Sequence, residues 1–218
     1  MRTPAAMTAG LVLGPCGLVL SLTAALAPHW RELSGLEAEP PDVRYQQGLW
    51  DLCREVQSTR VRSCGLPDTL GYFARAPVRA ARGLVASALG AAALGLALAA
   101  LGVRCWRDEP RPAVAGLAGL VLLAAGLLGL VAASWYGHSL EALPAPAGSS
   151  ARAGYSLVLA FLGSCLGVLA GCALALSFRR GCCCPRRRAP PALPSYTNPL
   201  DVLEGERPAR ALPCDSDL

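Results

Sequence analysis

An α-helical membrane protein that crosses the bilayer four times is the fold the sequence predicts, and three observations predict it. Apolar residues make up 53% of the chain and charged residues 16%, with a mean hydropathy of +0.40, which is outside the range of an ordinary soluble domain. Four runs, residues 3–28, 83–103, 113–140 and 153–178, contain no charged side chain. Each is long enough to cross once, since about 20 helical residues span the hydrocarbon core and a chain in lipid must satisfy its own backbone hydrogen bonds. The longest polar stretch lies between the first two runs and holds Gly48-Leu49-Trp50 with two cysteines, Cys53 and Cys64.

The first helix is expected over about residues 5–27. Arg2, the apolar stretch and Ala25-Leu26-Ala27 imitate a signal peptide, but the stretch from Ala9 to Ala27 exceeds a signal core of about 7 to 15 residues, and Pro28 would follow the cut. A spanning helix is the better reading. The first loop, residues 28–82, reads as extended: Val43, Tyr45 and residues 49–53 carry β-compatible runs between the turn signals Glu39-Pro40-Pro41-Asp42 and Gly65-Leu66-Pro67-Asp68. Helix two is expected over 83–103, helix three over 113–135, a short second loop over 136–152 and helix four over 153–178. Arg104, Arg107 and Arg111 lie between helices two and three, and Arg179, Arg180, Arg186, Arg187 and Arg188 follow helix four, whereas the second loop has Arg152 alone. Positive charge in short loops marks the cytoplasmic side, so both termini are placed there and both loops outside. Residues 179–218 are Pro-rich and charged, the composition of a disordered tail.

Ten cysteines divide by compartment. Cys53 and Cys64 face the oxidising side, where two thiols so close in a loop pair, removing about 3 kcal/mol of unfolded-state entropy. Cys16, Cys165 and Cys172 fall inside helices and read as buried small apolar residues. Cys105, Cys182, Cys183 and Cys184 sit at the cytoplasmic border, where they are palmitoylation candidates or free thiols. His29 and His138 have no spacing that puts two imidazoles on one face, so no metal site is expected. With Trp30, Trp135 and Tyr136 they read as interfacial residues. No carboxylate lies within a span, and nothing points to an enzyme or a cofactor. All 20 basic residues are arginine, yet no stretch interleaves them with aromatics, so nucleic acid is not an expected partner; the cluster after helix four suits anionic lipid head groups.

Trp30, Gly48-Leu49-Trp50, Cys53 and Cys64 resemble the claudin signature of tryptophan, Gly-Leu-Trp, cysteine and cysteine. Ala80-Ala81-Arg82 resembles that family's arginine at the entry to helix two, Gly102, Arg104 and Cys105 its exit, and Trp135 the outer end of helix three. The resemblance covers nearly the whole chain. It implies a left-handed four-helix bundle with a small antiparallel extracellular sheet completed by a strand from the second loop. It also implies a structural tight-junction protein that associates with other claudins in cis and in trans, seals or gates the paracellular space, and binds PDZ scaffolds of the zonula occludens type. The alternative is an auxiliary tetraspan subunit of a channel or receptor.

The position after Cys64, where pore-forming relatives often carry a charge, is Gly65. Arg60 and Arg62 precede it, and Asp51, Glu55 and Asp68 are near enough in sequence to offset them. A sealing or regulatory member is therefore expected. Residues 137–152 of the second loop lack the aromatic residues with which many claudins grip the opposite cell. Ser216-Asp217-Leu218 has the hydroxyl and apolar last residue of a PDZ ligand. Gly10 and Gly14, and Gly163, Gly167 and Gly171, recur at four-residue spacing, which suits close helix packing inside the bundle.

Overall fold

The structure is a computed structural model, which describes residues 5–36, 40–103, 112–146 and 148–176. Four helices, α1 (Ala5–Leu26), α2 (Ala76–Val103), α3 (Pro112–His138) and α4 (Tyr155–Ala175), all qualify by length and hydropathy as membrane spans. Five short strands join them: β1 (Arg31–Ser34), β2 (Val43–Gln47), β3 (Leu52–Val56), β4 (Val61–Cys64) and β5 (Ser150–Ala153). The four spans and the sheet agree with the expected class.

Several element bounds differ from expectation, among them the end of α3, which runs to His138 instead of residue 135. Helix α2 begins at Ala76, about two turns before the charge-free run, so Arg79 and Arg82 ride on it. Freedom from charge reports contact with hydrocarbon, not the length of a helix that continues into the polar layer. Residues 150–153 form β5, the strand from the second loop that the resemblance implies, so α4 opens at Tyr155, two residues later than expected. Leu49 and Trp50, expected as part of a strand, make with Gly48 the turn between β2 and β3, where the Gly48 N–H donates to the Asp51 carbonyl at 2.9 Å. β1 was not expected at all.

The strands lie in the order β4-β3-β2-β1-β5, every pair antiparallel. Arg31 faces Gln47 on one side and Ala153 on the other, so β1 sits between the two loops' strands. The helices pack closely through glycine. A Cβ at Gly171 would lie 2.4 Å from the Leu123 nitrogen, and one at Gly119 2.4 Å from that of Ala175. Gly167 differs, since a Cβ there meets nothing nearer than 3.5 Å. Cys16, Cys165 and Cys172 are exposed, contrary to the expected burial. A small thiol is tolerated on the outer face of a spanning helix because lipid is as apolar as the core.

Candidate functional site

The sheet is joined to the bundle by a cluster of buried side chains. Trp30 is fully buried, its indole N–H donating to the Ala24 carbonyl at 2.7 Å and its ring edge-on to Tyr136 at 5.2 Å. The Tyr72 and Tyr136 hydroxyls are 2.6 Å apart, and Tyr72 donates to the Gly48 carbonyl at 3.2 Å. Since Tyr72 spends its one proton on Gly48, Tyr136 must be the donor between the two phenols. Burial pushes the Tyr72 pKa up to about 12. Trp30 and Tyr136 are thus core residues, not the interfacial residues expected, because each polar tip finds a partner inside. Trp50 and Trp135, both 48% exposed, keep the interfacial character.

The Gly-Leu-Trp turn is tied down residue by residue. A Cβ at Gly48 would lie 2.5 Å from the Pro28 Cα, so only glycine fits. Leu49 is fully buried, and its carbonyl accepts from the Arg82 Nε. The Arg82 guanidinium lies 4.3 Å from the Phe73 ring centroid and 5.4 Å from that of Trp50, a cation–π arrangement at the foot of the sheet.

Arg31 is the residue that sequence reasoning missed. It is 1% exposed; Nη1 donates to the Gln47 Oε1 at 3.0 Å and the Pro144 carbonyl at 3.1 Å, and Nη2 to the Leu143 carbonyl at 3.1 Å. Desolvation pushes its pKa below the ordinary value. An arginine held by carbonyls without a carboxylate is a tether between the sheet and the second loop, and no pattern in β1 marks it. His29, half-buried, adds a second tie: its ring stacks on Tyr155 at 4.6 Å and Nδ1 accepts from the Tyr155 N–H at 3.3 Å, while the Ser156 N–H donates to its carbonyl at 3.1 Å. Gly154, the N-cap of α4, offers no side-chain cap, so His29 meets the first donors of that helix. His138 is exposed, which suits the interfacial reading.

At the far side of the sheet the expected pair is bonded. Cys53 and Cys64 stand opposite each other in the β3–β4 register, with an S–S distance of 2.03 Å. The five charged residues singled out in the sequence do not form one cluster. Arg62 stands directly opposite Glu55, which also accepts from the Gln46 amide. Arg60, at the hairpin tip, is exposed and has φ 55°, a conformation that L-residues adopt at some cost. Asp51 is exposed beside the turn. Asp68 serves the fold, its two oxygens accepting from the Tyr72 and Phe73 N–H groups at 2.8 Å each. Cys105, Cys182, Cys183, Cys184, Ser216, Asp217 and Leu218 lie outside the described residues.

Residues 5–174 match the PMP-22/EMP/MP20/claudin family. The chain is similar to human claudin-23, with 55% identity over 214 residues that cover 95% of this chain and 73% of that protein. It is similar to mouse claudin-23 at 42% over the full length of both, and to mouse claudin-14 at 30% over 81% of this chain and 77% of that protein.

Proposed function

The chain belongs to the claudin family, and from that premise we propose that it is a sealing or regulatory member, not a strongly pore-forming one. Membership makes it a structural protein of the tight junction, a multi-pass membrane protein that associates with other claudins.

The observation that carries the sealing reading is the pairing of Arg62 with Glu55 across the exposed hairpin. Directly opposed side chains have Cβ atoms about 5 Å apart, less than the Debye length of about 8 Å in physiological salt. An ion passing outside the sheet therefore meets a nearly compensated pair. Asp68 is spent on backbone donors, so Arg60 and Asp51 remain as the separate exposed charges of the set. A passage selects strongly when one sign of charge lines it, and this hairpin offers both.

The orientation supported by the arginine bias puts the sheet outside and both termini in the cytoplasm, where residues 179–218 would form the tail. There Ser216, Asp217 and Leu218 suit a PDZ scaffold, and the arginines after α4 suit anionic lipid, both readings resting on sequence. Expression in epithelial monolayers, with paracellular conductance and the sodium-to-chloride permeability ratio as readouts, tests the proposal. Conductance should fall or stay level with a ratio close to that of the host monolayer; a several-fold rise for one ion sign would overturn it. Freeze-fracture of fibroblasts without junctions of their own would show whether the protein forms strands unaided.

A further inference from the structure

Beneath Trp30 the four helices surround a chamber of about 40 Å³. Trp30 and the glycine, alanine, valine and leucine side chains of its wall offer it no free polar group, since the indole N–H is spent on Ala24. Two serines complete the lining, Ser21 on α1 and Ser164 on α4. Ser164 is only 6% exposed.

A hydroxyl inside a helix commonly bonds back to a carbonyl of the preceding turn. Thr23 does so with the Val19 carbonyl at 2.9 Å, and Ser87 with that of Leu84 at 2.9 Å. Ser21 and Ser164 make no side-chain hydrogen bond among the described residues. Glycines flank both: a Cβ at Gly163 would lie 2.5 Å from the Ser21 Oγ, and one at Gly129 2.3 Å from the Ser164 Oγ. Room has thus been left at two helix contacts for hydroxyls that bond to neither helix.

The chemistry of the wall selects the guest. An acyl chain would leave both hydroxyls unsatisfied in a medium that offers no other donors or acceptors. An ion would need a compensating charge, and no charged residue lines the chamber. A water needs about 10 to 15 Å³ and at least two polar partners, and the chamber supplies both. We propose that the chamber is a binding site for ordered water that hydrogen-bonds Ser21 and Ser164 and so couples α1 to α4 under the anchor of the extracellular sheet.

Gly167 also lines the chamber, and a Cβ there meets no clash. Gly167→Ala should therefore fill the site while leaving both hydroxyls in place. Gly90→Ala, on the exposed face of α2 with nothing within 4 Å, is the control. The measurement is magnetisation transfer from water to the amides around Ser164 in the isotope-labelled full-length protein in phosphatidylcholine nanodiscs. Wild type and Gly90→Ala should show the transfer, and Gly167→Ala should reduce it at least fivefold. Ser164→Ala, which removes a ligand without adding volume, should reduce it as well and serves if Gly167→Ala does not fold. Absence of transfer in wild type would overturn the proposal, as would its persistence in either folded chamber variant, since exchange through the serine hydroxyls alone survives Gly167→Ala.

Discussion

At the bundle end of the sheet Trp30, Arg31, Leu49, Tyr72 and Tyr136 are at most 1% exposed, whereas every residue of β4, from Val61 to Cys64, is exposed. The two regions share one ladder of hydrogen bonds and one disulfide, yet they are held differently. At the base the Trp30 indole, the two phenols and both terminal nitrogens of the Arg31 guanidinium are aimed at named partners, mostly backbone carbonyls, and the Arg31 Nε alone among them has none. At the hairpin the side chains touch mainly water and one another. A fold that concentrates its constraints at the base leaves the hairpin free to carry whatever charge the paracellular passage requires.

The contrast can be broken most directly at Trp30. Trp30→Ala removes a large buried ring and should cost about 3 to 5 kcal/mol, seen as a lower melting temperature in detergent and as reduced surface delivery. A variant that melts like wild type would show that the base is not the anchor.

Alkali tests the same region without mutation. The Tyr72 pKa is raised from the ordinary 10.0 to about 12, so above pH 10 the unfolded chain releases that proton while the folded protein keeps it. Stability should accordingly be intact below pH 10 and fall by roughly 2 to 3 kcal/mol as the pH rises to about 12. Tyr72→Phe, less stable at neutral pH, should show a smaller alkaline decline by thermal melting; an identical decline would place the loss elsewhere.

Arg31→Leu comes next. It strips the donors from the Leu143 and Pro144 carbonyls but also removes a buried charge, so the net cost should be about 2 kcal/mol. The sharper reading is local: hydrogen exchange should accelerate in residues 139–146 more than in β2 and β3. Uniform acceleration would make Arg31 an ordinary core residue. The smallest effect is expected at the hairpin, where Arg62→Gln should move stability by no more than about 0.5 kcal/mol. It leaves Glu55 without its opposed charge, so the paracellular sodium-to-chloride ratio should rise modestly. A large destabilisation there would erase the distinction between the two regions.

What could be read from the sequence follows the same division. The four spans were legible because hydrocarbon excludes charge, and the Cys53–Cys64 pairing because compartment and spacing agree. The Gly-Leu-Trp motif was legible as a resemblance, although its role as a turn and not a strand needed the structure. Arg31 was illegible because two of its three partners are main-chain carbonyls 112 and 113 residues away and the third is the uncharged Gln47 amide, so there is no complementary charge to notice. The start of α2 at Ala76 and the burial of Trp30 and Tyr136 were missed for a related reason. Hydropathy reports the solvent of a segment, not what its polar tips will find once neighbouring elements close over them.

Because Arg31 grips the second loop by two carbonyls, and β5 joins β1 through its backbone, that loop is strict about its path, and of its side chains Leu143 is buried in the core. Chimaeras that exchange it with a relative's loop of equal length should assemble if an apolar residue is kept at position 143. A single inserted residue between Leu143 and Ser150 would put the carbonyls and the strand out of step, and the exchange would fail.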